Sequence, residues 1–259
     1  MSGWNGLRAV NYRGKPIPAI LGLVAIAPGV IVGLIAGLAI VTAQGRSLDA
    51  AAWVSAGGSM LVFVAGLTDD LMPSGTRGLR AHLRSVSSGH MTPGILKLVV
   101  IAGSSVVVVA ALPVHPGLTR LAGVVLLSAG ANLWNGLDVR PGRALKSFVL
   151  AAGVVLAAGV PIRLAPSVPG VLLGAIVALP ADLRERAMLG DGGSNLLGFT
   201  AGLGVYLVLP SSWVWVAAAL AVTLNVVAET VTLSRLIEAV GPVRWFDRLG
   251  RISASDESP

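Results

Sequence analysis

Residues 17–43 read IPAILGLVAIAPGVIVGLIAGLAIVTA, and no charged side chain interrupts them. At 1.5 Å rise per residue, about 20 such residues cross the hydrocarbon core of a bilayer as a helix. The run is too long for the core of a signal peptide, and no small-residue cleavage site closes it. It is therefore predicted to be a first membrane span, with the basic residues Arg8, Arg13 and Lys15 on its N-terminal side.

Further apolar runs lie near 50–68, 94–112, 118–136, 144–162, 168–182, 193–210 and 213–234, with Gly, Pro and Ser clustered between them. The sixth is short, so it is either tilted or extended into the loop that follows. Of the 259 residues 54% are hydrophobic and only 12% charged, whereas a soluble domain carries about 25% charged residues. Strand patterns and internal repeats of 20 to 50 residues are missing. The prediction is an all-α, polytopic integral membrane protein of about eight transmembrane helices. It forms a single transmembrane domain, 1–259, with a C-terminal tail, 235–259, partly disordered at its end. The chain has no cysteine, which excludes a disulfide framework and a thiolate metal site.

Basic residues give the orientation. With eight spans, 16 of the 19 Lys and Arg fall on the side of the N-terminus, and only Arg46, Arg120 and Arg163 fall on the other. Both termini are predicted to be cytoplasmic, in a multi-pass protein of the cell (inner or plasma) membrane. The net charge of +7 then follows from the positive-inside bias; the basic residues sit in short loops beside spans, which argues against nucleic-acid binding. Trp53, Trp213 and Trp215 are predicted at the outer interface, with Trp134 and Trp245 near the inner one.

The acids sort in the same way. Asp69 and Asp70 follow the second run, Asp138 the fourth, and Asp182, Glu185 and Asp191 the sixth, while only Asp49 lies on the outer side. One acid at a membrane surface is by default merely solvated. Three loops that each set an acid beside Gly or Asn, near arginines, suit a hard cation shared with substrate phosphates and phosphate itself. In MLGDGGSNLLG, 188–198, the glycines let backbone amides approach an anion. Ser194 or Asn195 is expected to cap a helix whose N-terminus favours a negative ligand. The plain alternative makes Asp191 itself the cap.

GLTDD at 66–70, NLWNGLD at 132–138 and MLGDGGSNLLG at 188–198 resemble the three cytoplasmic signatures of the polyprenyl-phosphate N-acetylhexosamine-1-phosphate transferases, the superfamily of phospho-N-acetylmuramoyl-pentapeptide transferase. NYRGKPIP, 11–18, resembles the basic, proline-containing approach to their first span. The motifs occur in the family's order and cover most of the chain; GDGGS alone would be a weak signal. The resemblance implies Mg2+-dependent transfer, with Mn2+ as the alternative ion, of a sugar-1-phosphate from a nucleotide-sugar to a polyprenyl phosphate lipid. It implies Asp191 as a metal ligand and Asn132 as a holder of metal or nucleotide. Asp138 is expected near the nucleoside or at the edge of the site, and Asp69 and Asp70 around metal and lipid phosphate. Around them, Asn135, Arg140, Arg143, Lys97 and Ser194 are expected on substrate. The lipid phosphate, with a second pKa near 6, is already largely a dianion at neutral pH, so an aspartate has little to do as a base. The resemblance also allows a homodimer, for which the spans carry no distinct signal.

The chain departs from the family's pattern in three ways. Asn135 stands where relatives commonly have Asp. No histidine follows His115, so the late histidine-rich loop is missing. Eight spans replace about ten. A non-catalytic homologue that binds polyprenyl phosphate is the main rival; a transporter would want mid-bilayer acids and bases beyond Asn225 and Glu229. The tail 234–251 reads as an interfacial amphipathic anchor, or as a substitute for the missing loop with Arg244, Arg248 and Arg251 on phosphate.

Overall fold

The computed structural model describes residues 7–72, 93–230 and 233–251. They are predominantly helical, with one two-stranded sheet. Strands β1 (Arg8–Val10) and β2 (Pro16–Pro18) form an antiparallel hairpin. A π-helical turn, Gly22–Ile26, leads into α1 (Ala27–Ala43). Then come α2 (Ala50–Leu71), α3 (Pro93–Ala111), α4 (Thr119–Leu137), α5 (Arg143–Ala157), α6 (Ser167–Leu183), α7 (Gly190–Val208) and α8 (Ser211–Thr230). Two short helices, α9 (Leu233–Ala239) and α10 (Gly241–Arg248), make the tail.

The hairpin has a local cause that alternation does not reveal. The Asn11 side-chain oxygen accepts the amides of Arg13 and Lys15 at 3.0 and 2.9 Å, an Asx turn. Gly14 takes φ +78°, which closes the turn without a Cβ penalty. Pro16 and Pro18 stand on an edge, where a missing donor is tolerated.

Helices α1 to α8 fall on the apolar runs, except that the first run opens with the end of β2 and the π-helical turn before α1 begins at Ala27, and that α5 stops at Ala157. Among the described residues four helices are long and apolar enough to cross a membrane: Gly22–Ala43, Ala50–Leu71, Pro93–Ala111 and Ser211–Ala228. Ser167–Leu183 is apolar but shorter. The other three fall short for visible reasons. Helix α7 opens with Asp191, Ser194 and Asn195; α4 holds Arg120, Asn132 and Asn135; and α5 has only 15 residues.

Helix α7 is the centre of the bundle, buried nearly throughout from Gly190 to Gly204. It packs on α4 and α2, while α1 packs on α6 and α8 on α4. Bare backbone makes these approaches possible, as expected where apolar solvent supplies no drive between helices. A Cβ at Gly66 of α2 would sit 2.6 Å from the Asp191 carbonyl oxygen, and one at Gly130 of α4 would sit 2.9 Å from the Gly198 oxygen. The outward faces are apolar: Ile35, Val107, Leu150, Val177 and Leu220 are each more than half exposed. Trp53, Trp213 and Trp245 are also open on the surface, whereas Trp134 donates inward to the Ala144 oxygen at 3.2 Å.

Candidate functional site

The hairpin, the C-terminal ends of α2, α4 and α6, and the N-terminus of α7 meet at one end of the bundle. Asp70, in the last turn of α2, accepts the Asp191 amide at 2.9 Å and the Gly192 amide at 3.1 Å. Helix α7 has no capping side chain of its own. The carboxylate of another helix therefore satisfies its free amides and faces the positive end of its dipole. Gly190, at φ +73°, permits this turn, and a Cβ there would stand 2.7 Å from the Asp70 carboxylate. The expected cap thus comes from Asp70 rather than from Ser194, Asn195 or Asp191. The helix starts at Gly190, so Ser194 and Asn195 lie inside it. There the Ser194 hydroxyl reaches the Gly190 oxygen at 2.9 Å, and the Asn195 amide donates to the Asp191 oxygen at 2.7 Å.

Asp69 and Asp191 converge on one cation. The Lys97 ammonium, buried at the start of α3, donates to Asp69 at 2.6 Å and to Asp191 at 2.5 Å. The second signature joins them through Asn135, whose oxygen lies 3.0 Å from the Ser194 hydroxyl. Asn132 turns elsewhere. Its amide donates to Asn225 of α8 at 2.6 Å, and Asn225 donates on to the Ala129 oxygen at 2.9 Å. Asn225 is thus a helix-to-helix clasp between α4 and α8; the Glu229 side chain lies outside the described residues.

Beside the carboxylates lies a cavity of about 350 Å3, bounded by Tyr12, Asp138, Arg140, Asp182, Glu185 and Met188. Asp138 ends α4. Burial pushes its carboxyl well above the ordinary carboxylate range, and the charges of Asp182, Asp191 and Asp70 push it further. Asp182 accepts the Gly142 amide at 2.8 Å and so fixes the turn after Asp138. The Arg140 guanidinium lies 4.9 Å from the centre of the Tyr12 ring, a cation–π distance. Glu185 fastens the hairpin, taking the Asn11 amide at 2.9 Å and the Tyr12 hydroxyl at 3.1 Å, with Arg13 3.1 Å away. It does so from φ +53°, unusual for a non-glycine residue.

No protein-family model matches the chain, and no curated protein matches it.

Of the expected site residues, Asp69, Asp70, Lys97, Asp191, Ser194 and Asn135 form one connected group. Asp138 and Arg140 line the adjoining cavity. Arg143 is directed away from it: the guanidinium grips Asp247 of the tail at 2.8 and 3.2 Å. Arg251, one candidate for phosphate, pairs with the same carboxylate at 2.6 Å. Asn11, Tyr12 and Glu185 were not expected in a cavity wall. The sequence signals they carried were coarser: Asn11 and Tyr12 belong to the NYRGKPIP approach to the first span, and Glu185 to the acids that follow the sixth run.

Among the described residues no group of three or more His, Cys, Asp or Glu is arranged to hold a metal. Two hard carboxylate oxygens nonetheless meet at one cation position, held by Lys97. That donor set fits Mg2+, which commonly takes one or two carboxylates and completes its shell with water and substrate phosphate. Lys97 and such an ion would compete for the same oxygens.

Proposed function

We propose that this chain transfers a sugar-1-phosphate from a UDP-sugar to a polyprenyl phosphate at the cytoplasmic face of the membrane. In this reading all eight long helices span the bilayer and both termini are cytoplasmic. The lipid-like outer face of α5, with Leu150 and Val154 exposed, supports counting it as a span despite its length. The observation that carries the function is that three signatures far apart in sequence meet at one end of the bundle: Asp69 and Asp191 share the Lys97 ammonium, and Asn135 joins the third signature through Ser194.

The chemistry balances simply. An oxygen of the lipid phosphate attacks the β-phosphorus of the UDP-sugar, the bond from that phosphorus to the bridging oxygen breaks, and UMP leaves with the electron pair. Asp69 and Asp191 would hold Mg2+, which offsets the charge gathering on the diphosphate. Asp70 fixes the start of α7 and with it the Asp191 carboxylate. Lys97, once released by the ion, is left beside the phosphates as a positive charge. The cavity of Tyr12, Asp138 and Arg140 takes the nucleotide end.

UMP release by detergent-purified protein, given a short polyprenyl phosphate, a pool of UDP-sugars and either Mg2+ or EDTA, tests the reading. Lipid-requiring, Mg2+-dependent UMP is the expected result. Lipid binding with no UMP from any sugar would assign the chain to the non-catalytic, lipid-phosphate-binding role instead.

A further inference from the structure

The loop 138–143 has two sides. One side, through Asp138, Arg140 and Pro141, bounds the cavity. The other is held by the tail. Arg143 and Lys146 open α5 as buried cations, 3% and 8% exposed. Arg143 grips Asp247 with two nitrogens and reaches the Ser234 hydroxyl at 3.0 Å. Lys146 donates to the carbonyl oxygens of Phe246, Asp247 and Leu249 at 2.7, 2.8 and 2.9 Å. These lie at and just past the C-terminus of α10, where the dipole is negative; the Phe246 oxygen also accepts the Leu249 amide at 3.3 Å. Arg251 joins Asp247 to the loop itself, donating to the Pro141 oxygen at 2.9 Å. Arg140 lies 3.8 Å from Glu238.

Apolar burial does little to hold α10. Asp247 is its one buried residue, while Val243 and Trp245 stay exposed. The attachment is polar and centred on one carboxylate, which receives two arginines. Removing such a carboxylate leaves buried cations unpaired, and the loop loses its outer support.

We propose that α9 and α10 are a strap across the nucleotide side of the site, and that Asp247 is a positioning residue that holds Asp138 and Arg140 toward the cavity. The proposal rests on the reading that this cavity takes the nucleotide. It assigns the tail a role beyond that of an interfacial anchor. It also explains why Arg143 and Arg251, plausible phosphate ligands by sequence, face each other across Asp247.

The chain has no cysteine, so Val139→Cys in full-length protein gives a single thiol in the loop, and UDP is the probe. UDP is expected to protect this thiol from a maleimide. Asp247→Asn and the milder Arg251→Ala should each raise the half-protecting UDP concentration, by about tenfold for Asp247→Asn. In the turnover assay KM for the UDP-sugar should rise in parallel while kcat stays within about threefold. A merely structural tail would lower kcat and thermal stability without moving UDP protection. If Asp247→Asn does not fold, Arg251→Ala decides alone. Equal protection in wild type and variants overturns the strap and leaves the nucleotide reading intact. No protection by UDP in any of them overturns the nucleotide reading of the cavity, and the strap with it.

Discussion

At the scale of single residues the site is an arrangement of charges around one ammonium. Outer-sphere partners of a metal are worth about 10- to 100-fold in affinity, so removing a direct ligand should cost at least that. Asp191→Asn is expected to abolish Mg2+-dependent turnover at normal expression; unchanged turnover removes its metal role. Lys97→Met should tighten Mn2+ binding, read by electron paramagnetic resonance, about tenfold, because the competitor for Asp69 and Asp191 is gone. Equal Mn2+ affinity would show that Lys97 and the ion do not share those oxygens. Asp138 gives a prediction with a definite sign. Its folded pKa lies above the unfolded one, so the carboxyl favours folding while protonated. That contribution is present below the unfolded value, about 3.9, and is lost as pH rises through the folded value. At pH 7.5 Asp138→Asn should therefore raise the melting temperature of ligand-free protein while weakening UDP binding; a lower melting temperature would contradict the burial argument. The identities of these residues were legible in the sequence because each signature places an acid or amide after an apolar run. Their partners were not. Asn132 and Asn135 are three apart, and nothing in NLWNGLD says that one turns to Asn225 and the other to Ser194.

At the scale of elements, α7 is set by its neighbours. The helix opens on the polar stretch 190–195 ahead of its apolar remainder, and α2 and α4 bury both parts. Its cap, Asp70, is 121 residues away in sequence, a relation no local pattern contains. Replacing a helix cap by Ala costs about 1 kcal/mol, so Asp70→Ala should lower the melting temperature in detergent, and Asp70→Asn, which keeps one acceptor, should lower it less. The glycine approaches make a paired test. Gly66 would press a methyl against the Asp191 backbone, whereas a Cβ at Gly57 on the same helix meets nothing within 4 Å. Gly66→Ala should destabilise by about 1–3 kcal/mol and reduce turnover with it, while Gly57→Ala should be neutral or slightly stabilising. Similar melting temperatures for the two variants would show that the α2–α7 approach can relax. The apolar runs foretold α1 to α8 because length and hydropathy are local. The hairpin was missed because side-chain hydrogen bonds from Asn11, rather than alternation, form it.

At the scale of the whole molecule, polar contacts gather at both ends of the bundle. At the end away from the acids, Asp49 meets Arg163 at 3.0 Å and His115 meets the Tyr206 oxygen at 2.9 Å. Orientation across a membrane can be read with single thiols in the cysteine-free chain. Val139→Cys and Leu249→Cys should react with an impermeant maleimide only when the cytoplasmic face is open, and Gln44→Cys and Leu118→Cys only from outside. A mixed pattern would redraw the spans and the charge asymmetry behind them. The π-helical turn at Gly22–Ile26 has a consequence at the same scale. It carries one residue more than an α-helical path would, and an α-helix turns about 100° per residue. The turn therefore sets a phase between the bundle and the segment ahead of it. Deleting one residue there would leave α1 seated against α6 but rotate the hairpin, carrying Tyr12 away from Glu185 and Arg140. The cavity would lose a wall although every residue lining it was still in the sequence.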